Sequence, residues 1–204
     1  MEGYLSHLRR VYLVDDHDIV RRGVRDLLVP ARDLQVVGDS GSAREAVPEI
    51  LRLGPDVMLL DLHLQDGTGI EICRAVRSEN PAIAGLLLTA AGDDEALAAA
   101  VLAGAAGYVI KVSRSSNIMN TVRRLQPGNT LMDPDSIERA SRLLESITES
   151  LTPSATDTER RILDLLIEGR TDSQITQALA ASEADSARKI ADLVARLTQA
   201  LLAA

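Results

Sequence analysis

Short apolar runs alternate with amphipathic segments along the first part of the chain, and this alternation limits the fold more than any other feature. The runs are continuously apolar, which is typical of strands buried on both faces of a sheet. They span residues 10–14, 34–38, 57–60, 83–89 and 108–110. The amphipathic segments that follow them span residues 18–28, 42–53, 68–78, 93–103 and 115–125. Five strand-helix units predict an α/β fold, with a doubly wound, five-stranded parallel sheet and helices on both faces.

Composition predicts an aliphatic core. Hydrophobic residues make up 46% of the 204 residues, whereas aromatic residues make up only 1%. The N-terminus resembles no signal peptide, and every apolar stretch is much shorter than the ~20 residues that span a bilayer. We therefore expect a cytoplasmic protein that has no membrane contact. The lone Cys73 agrees, because one thiol cannot form an internal disulfide. The net charge of -8 argues against broad, non-specific binding of polyanions.

Acidic residues follow two of the predicted strands. Asp15 and Asp16 follow the first strand, and Asp61 follows the third. Because the carboxyl ends of parallel strands lie at one edge of a sheet, we expect these three carboxylates to converge there. Three clustered carboxylates need a cation, and oxygen-only ligands favour Mg²⁺ over Zn²⁺.

Two further strand ends carry polar residues that suit phosphoryl transfer. Thr89 ends the fourth strand, and Lys111 follows the fifth. In this interpretation Asp61 is the nucleophile, and the hydroxyl and the amine contact the phosphoryl oxygens, which supplies positioning and charge neutralisation. Gly67 and Gly69 predict a mobile loop that leaves Asp61 approachable. Each residue taken alone has an ordinary structural explanation, but the ordered set favours a phosphoryl-transfer site.

This pattern resembles the receiver domain of two-component response regulators. The matching positions are Asp15-Asp16, Asp61, Gly67-x-Gly69, Thr89-Ala90, Ala103-Gly104-Ala105-x-Gly107-Tyr108 and Lys111. The resemblance implies that Asp61 accepts a phosphoryl group from the histidine of a sensor kinase while Mg²⁺ is bound. It also implies that Asp16 ligates the metal directly and that Asp15 assists, partly through water.

The same resemblance assigns roles to three further residues. The main-chain carbonyl of His63 would be the third metal ligand. Thr89 and Tyr108 would form a switch that responds to the phosphoryl group. Gln65 stands where this family commonly has proline, which predicts a looser loop after Asp61.

The last part of the chain is helical in pattern. Capping pairs Thr156/Glu159, Thr171/Gln174 and Ser182/Asp185 predict the starts of three helices joined by tight turns, the anatomy of a helix-turn-helix unit. The spacing resembles the LuxR/FixJ-type (NarL-like) output domain, and the whole chain is similar to actinobacterial dormancy-survival regulators of that family. The predicted domains are a receiver at 1–127, a linker at 128–155 and a shortened output domain at 156–204. The linker is expected to hold a helix at 135–146 and a flexible boundary at 148–156.

The third output helix departs from the family pattern. The family usually begins this helix with Thr-Val-Lys, whereas this chain has Asp185, Ser186 and Ala187. Arg188 and Lys189 remain as candidates for DNA contact. Residues 156–204 hold six Lys plus Arg against eight Asp plus Glu, a net charge of -2, although DNA-binding modules usually carry a basic face. Relatives continue into a further helix used for dimer contacts; here residues 197–202 are expected to extend the third helix and present an apolar surface.

Three functions fit these residues to different degrees. The main hypothesis is a DNA-binding transcriptional regulator, acting as a homodimer or paired with a related regulator. The alternative is a response regulator whose output domain has lost DNA binding and acts through protein contacts. A Mg²⁺-dependent phosphohydrolase is disfavoured, because such enzymes usually carry a second acid two residues after the nucleophile, where this chain has His63. We expect no enzymatic activity beyond self-phosphorylation and self-dephosphorylation.

Overall fold

The fold consists of a parallel β-sheet flanked by helices and followed by a helical region. The structure is a computed structural model that describes residues 8–90, 92–111, 115–151, 156–179 and 182–203. Its strands are β1 (Arg9–Val14), β2 (Leu34–Ser40), β3 (Val57–Asp61), β4 (His63–Leu64), β5 (Gly67–Thr68), β6 (Ala84–Thr89) and β7 (Gly107–Ile110). Its helices are α1 (Asp18–Leu28), α2 (Ala43–Leu53), α3 (Gly69–Glu79), α4 (Asp94–Leu102), α5 (Ser115–Arg124), α6 (Pro134–Leu151), α7 (Asp157–Ile167), α8 (Asp172–Ala178) and α9 (Glu183–Leu202).

Five of the strands form one parallel sheet in the order β2-β1-β3-β6-β7. This confirms the predicted doubly wound architecture. The central strands β3 and β6 are buried along their whole length, which explains why their sequences are continuously apolar. In the register of the sheet Val14 pairs with Leu60, and Asp61 pairs with Leu88. The carboxyl ends of the central strands therefore lie side by side at one edge.

The sheet separates two apolar layers. Alternate residues of β1 illustrate the division: Val11 and Leu13 pack in the layer that contains α1 and α5, whereas Tyr12 and Val14 pack in the layer that contains α2, α3 and α4. This alternation follows from the period of two residues in a strand. The two faces of the sheet are thus covered by helices, as the sequence predicted.

The linker helix α6 is longer than expected. The sequence predicted a helix at 135–146 and a flexible boundary at 148–156, but α6 continues to Leu151. The boundary is therefore wrong for residues 148–151, and residues 152–155 lie outside the described residues. Burial accounts for the longer helix. Thr148 lies in the core, and its hydroxyl is satisfied by donating to the main-chain carbonyl of Leu144, which is also buried.

The helical region after the linker contains the three predicted helices, α7, α8 and α9. Reciprocal capping boxes begin α7 at Thr156 and α8 at Thr171, and the Ser182 side chain caps α9. α9 reaches Leu202, so the predicted extension of this helix is confirmed. The predicted apolar surface on the extension is wrong, because Leu197 and Leu201 are buried in the core shared with the first part of the chain.

The helical region packs directly on the receiver-like sheet domain through α4. All residues of this helix from Ala96 to Leu102 are buried, and α4 contacts α6, α7 and α9 as well as the sheet. One apolar cluster consequently joins the sheet, α6 and the helices α7, α8 and α9. No helix among the described residues is long and apolar enough to cross a membrane.

A buried arginine adds a polar contact to this interface. Arg74 on α3 is only 5% exposed. Its Nη1 donates to the carbonyl of Leu102 at 2.7 Å, and its Nη2 donates to the carbonyl of Arg170 at 3.1 Å. Its Nε donates to Asp172 Oδ1, at the start of α8, at 2.8 Å. One guanidinium group thus joins α3, the end of α4 and the α7–α8 turn.

Candidate functional site

Three predicted acids converge at the carboxyl edge of the sheet. Asp15 and Asp16 follow β1, and Asp61 ends β3, the strand beside it. One potential ligand atom from each of these acids, together with one from His17, lies within 4.8 Å of all the others. Asp15 and Asp61 are 0% and 4% exposed. The sheet therefore assembles the acidic cluster that the strand ends predicted.

Lys111 joins two of these acids. Its Nζ lies 2.7 Å from Asp15 Oδ2 and 2.7 Å from Asp61 Oδ2. Burial raises the pKa of Asp61 above its ordinary value, and the hydrogen bond and charge of Lys111 partly oppose that rise. Burial alone would lower the pKa of Lys111, but its bonds to the two carboxylates raise it. Lys111 is therefore a protonated ammonium that neutralises part of the buried negative charge.

The loop after Asp61 folds as a short hairpin. His63 and Leu64 form β4, which pairs antiparallel with β5, and the His63 main-chain N–H donates to Asp61 Oδ1 at 3.4 Å. The sequence predicted a mobile loop from Gly67 and Gly69. Close packing explains Gly69 better, because a Cβ atom there would lie 2.5 Å from the Asp61 carbonyl oxygen.

Thr89 and Tyr108 lie on the two neighbouring strands, but in different surroundings. Thr89 ends β6, is buried, and accepts the main-chain N–H of Lys111 at its carbonyl oxygen. Tyr108 on β7 is half-buried and lines a groove between α4 and the linker, beside Leu97 and Met132. The structure thus brings Thr89 to the same sheet edge as Asp61, whereas the Tyr108 ring faces the layer that contacts the linker.

Two residues around the acids were missed by sequence reasoning. His17 Nδ1 lies 2.6 Å from Asp16 Oδ1, and Arg21 Nη1 donates to the Asp15 carbonyl at 2.5 Å. The position of His17 directly after the acid pair was an available signal. Arg21 offered none, because its contact depends on how α1 packs beside the end of β1.

The donor set fits a hard divalent cation. Asp16 and Asp61 offer carboxylate oxygens to an open pocket of about 310 Å³, which His63 and Lys111 also line. Asp15 lies directly behind them in the same acidic cluster. Oxygen donors of this kind suit Mg²⁺, which needs few protein ligands and keeps several waters. The buried negative charge gives a cation a physical reason to bind.

The candidate DNA-contacting residues lie on α9, away from this pocket. Arg188 Nη2 is 2.8 Å from Asp185 Oδ1, and Lys189 Nζ is 2.7 Å from Asp185 Oδ2. Hydrogen bonds from Lys189 and Arg188 lower the pKa of Asp185. One carboxylate thus pairs with both candidate cations on the first turns of this helix.

Comparison with known proteins decides the family. The family model described as "Response regulator receiver domain" matches residues 11–123. The chain belongs to the response regulator family. It is 42% identical over 168 residues to the DNA-binding transcriptional activator DevR/DosR of Mycobacterium tuberculosis, and this match covers 81% of the chain and 77% of the relative. The acidic pocket and the sheet order agree with this assignment.

Solved structures of response regulators extend the comparison. A LuxR-family two-component response regulator from Aurantimonas sp. SI85-9A1 is 32% identical, with a TM-score of 0.57 over 66% of this chain and 96% of that one. The RcsB response regulator of Salmonella typhimurium is 24% identical, with a TM-score of 0.55 over 94% of this chain and 92% of that one. The second likeness, at this identity, shows the fold alone, and it extends over both the receiver and the helical region.

Proposed function

We propose that this response regulator is phosphorylated on Asp61 by a sensor histidine kinase. A bond forms between an Asp61 oxygen and phosphorus while the phosphorus–nitrogen bond of the donor histidine breaks. The observation that carries the proposal is the bridge from Lys111 Nζ to Asp15 and Asp61, at 2.7 Å each, within a cluster of buried acids. Such a site supplies a positioned nucleophile and charge neutralisation, which are the main needs of phosphoryl transfer.

Mg²⁺ is the cofactor that suits this reaction. Asp16 and Asp61 would hold it with the main-chain carbonyl of His63, and Asp15 would assist. When bound, the metal neutralises charge on the transferred phosphoryl group. Thr89 and Lys111 would then contact the phosphoryl oxygens, and Thr89 with Tyr108 would carry the change of state towards α4. Beyond self-phosphorylation and self-dephosphorylation we assign no enzymatic activity.

The phosphorylation proposal is tested with a small phosphodonor, such as acetyl phosphate, and Mg²⁺. We expect the full chain to take up one phosphoryl group and Asp61→Asn to take up none, because the amide is no nucleophile towards phosphorus. Asp33→Asn is the matched control, since Asp33 pairs with Arg123 at the surface, outside the acidic pocket. Equal labelling of Asp61→Asn and the wild type, or no labelling of the wild type, would contradict the proposal.

We propose DNA binding as the output, with phosphorylation releasing or pairing the helix-turn-helix region as a homodimer or with a related regulator. The support comes from the likeness to a relative that is named a DNA-binding transcriptional activator. The three capped helices α7 to α9 have the anatomy of such a unit. Arg188 and Lys189 would meet the DNA.

One observation favours a second output. Asp185 already pairs with Arg188 and Lys189, so these cations face DNA only if those pairs break or if a negative charge approaches the phosphates. The net charge of -2 over residues 156–204 points in the same direction. In this alternative the output region binds no DNA and acts through contacts with a protein partner.

A salt titration separates the two outputs. The phosphorylated full chain is mixed with a pool of random-sequence duplexes, and bound sequences are selected at low salt. A DNA regulator enriches a defined sequence, and its affinity falls as salt rises, because the release of counterions from the DNA favours the complex less when the salt concentration is already high. Failure to enrich any sequence at low salt, with the protein phosphorylated, would remove DNA binding and leave the protein-contact output.

A further inference from the structure

The carboxylate of Asp66 fastens the hairpin after Asp61 to the start of a neighbouring helix. Asp66 Oδ1 accepts the main-chain N–H of Ala43 at 2.8 Å, and Asp66 Oδ2 accepts the Ser42 hydroxyl at 2.7 Å. Oδ2 also accepts the Arg44 N–H at 3.3 Å. The first turn of α2 thus receives a carboxylate from 23 positions further along the chain than Ala43. A negative charge is favourable there because free N–H groups and the helix dipole meet at a helix N-terminus.

The two ends of the hairpin are held by different helices. At its tip, the connection between β4 and β5, Asp66 is bound to α2. At its base, Thr68 and Glu71 form the capping box that begins α3. Gly67 also packs closely on α2, since a Cβ atom there would lie 2.9 Å from the Ala43 Cβ. The strand pairs His63–Thr68 and Leu64–Gly67 lie between these two attachments.

The attachment matters because the hairpin borders the acidic pocket. His63 donates its main-chain N–H to Asp61, and His63, Leu64 and Gln65 line the pocket around Asp16 and Lys111. A Gln at position 65 leaves the backbone there free to rotate, whereas proline would fix its φ angle. The next residue, Asp66, limits the movement of the same turn through its hydrogen bonds to the start of α2.

We propose that Asp66 is a positioning residue for Mg²⁺-dependent phosphorylation, because it holds the His63 main chain in place beside Asp61 through its bonds to α2. This inference rests on the proposed function of Asp61. Asp66 itself contacts neither the acids nor the phosphoryl group. Its carboxylate accepts hydrogen bonds from Ser42 and from two main-chain N–H groups, and the Ser42 bond contributes most to lowering the pKa of Asp66. Asp66 is therefore charged and occupied, and it acts by ordering the loop.

The consequence concerns metal affinity more than the chemical step. If the hairpin loosens, the carbonyl of His63 must be ordered when the metal binds, and that ordering has an entropic cost. The loss of groups that orient metal ligands typically weakens metal binding by roughly 10- to 100-fold. At saturating Mg²⁺ the loop is ordered again, so the phosphorylation rate should recover.

The test measures Mg²⁺ binding to the full chain by titration calorimetry, and phosphorylation of the full chain by acetyl phosphate as a function of Mg²⁺ concentration. For Asp66→Ala we expect the Mg²⁺ concentration at half-maximal rate to rise about 10-fold, with a maximal rate close to that of the wild type. Asp66→Asn should restore most of the affinity, because its amide oxygen still accepts from Ala43 and its NH₂ can donate to Ser42. A merely destabilising substitution would not produce this split between affinity and maximal rate.

Asp133→Ala is the matched control. Asp133 also caps a helix, accepting the Ser136 N–H at 2.9 Å at the start of α6. It lies outside the hairpin, so its loss should leave the Mg²⁺ dependence unchanged, and thermal unfolding of all variants reports on folding. An Asp66→Ala protein with wild-type Mg²⁺ dependence overturns this inference while the proposed function stands. A wild-type chain that takes up no phosphoryl group overturns the proposed function instead.

Discussion

At the scale of single residues, the site is dominated by the cost of burying like charges together. Asp15 and Asp61 are almost fully buried, and Lys111 lies within hydrogen-bond distance of both. Two carboxylates held this close repel each other, and burial strengthens the repulsion. The ammonium of Lys111 offsets this repulsion within the protein, and a divalent cation bound to the same acids would offset more of it.

Replacing Lys111 by alanine should show how much its charge stabilises the protein. Without Mg²⁺ we expect the free energy of unfolding of Lys111→Ala to fall by roughly 3 kcal/mol, because two buried carboxylates lose their cation. The loss should shrink as pH falls: the folded pKa of Asp61 is raised, so protonation favours the folded state and removes the repulsion. Chemical denaturation at a series of pH values measures both effects.

The control for Lys111→Ala is Arg123→Ala. Arg123 pairs with Asp33 at the surface, where its side chain is 40% exposed, and such pairs contribute less than about 1 kcal/mol. Equal losses in the two variants, or a loss for Lys111→Ala that grows towards low pH, would show that Lys111 does not neutralise the buried acids.

At the scale of the element, α9 carries an unusual residue on its buried face. Its apolar positions include Ile190, Leu193 and Leu197, and Ser186 continues the same face one turn earlier. Ser186 is only 1% exposed, and its hydroxyl has no hydrogen-bond partner among the described residues. A buried hydroxyl without a partner loses its bonds to water and gains nothing in return.

Ser186→Ala should therefore stabilise the protein. We expect the free energy of unfolding to rise by about 1 kcal/mol, since the substitution removes the unpaired hydroxyl and alanine favours a helix. Ser182→Ala on the same helix should have the opposite sign and lower stability by about 1 kcal/mol, because the Ser182 hydroxyl accepts the Asp185 N–H as the cap. Thermal and chemical unfolding compare the pair, and a loss of stability in Ser186→Ala would show that its hydroxyl is bonded.

At the scale of the whole molecule, the receiver and the helical region are folded against each other. Both parts of the molecule contact α4, which packs on the sheet and also on α6, α7 and α9. α9 would have to leave part of this contact to enter a DNA groove with its full length. A change at the proposed phosphorylation site has a short physical route to α7–α9, because β6 and β7, which carry Thr89 and Tyr108, both contact α4.

Arg74→Ala should weaken the interface without touching the acidic pocket. The substitution leaves the Leu102 and Arg170 carbonyls and Asp172 without their guanidinium partner. We expect the free energy of opening of α7 to α9 to fall by about 2 kcal/mol. Native-state hydrogen exchange should show faster exchange in these helices while β1 and β3 keep their protection.

Arg160→Ala serves as the comparison for Arg74→Ala, because Arg160 pairs with Asp157 on the surface of α7 itself. It should leave the exchange of all three helices close to that of the wild type. Faster exchange spread evenly over the sheet and the helices in Arg74→Ala would mean that Arg74 supports the whole fold rather than this interface.

Much of the architecture was predictable because it depends on local patterns. Continuous apolar runs marked β1, β3 and β6, and capping pairs such as Thr156/Glu159 and Thr171/Gln174 marked the helix starts. The acids of the site were predictable for a related reason: in a parallel sheet, a residue that follows a strand must lie at the carboxyl edge. Local rules failed where the chain had no local signal, as at the end of α6, where burial of Thr148 extends the helix.

The sequence by itself determined the order of the five sheet strands and their helices, the acids at the strand ends and the caps of α7, α8 and α9, because each depends on residues a few positions apart. Only the tertiary structure decided the contact of Asp66 with Ser42, the link from Arg74 to Asp172 and the burial of α4 from Ala96 to Leu102. These features join residues distant in sequence through the packing of whole faces. An alanine-rich helix such as α4 has no polar face, so its sequence does not show which sides are buried. Only the three-dimensional packing shows that α4 contacts both the sheet and the helices α6, α7 and α9.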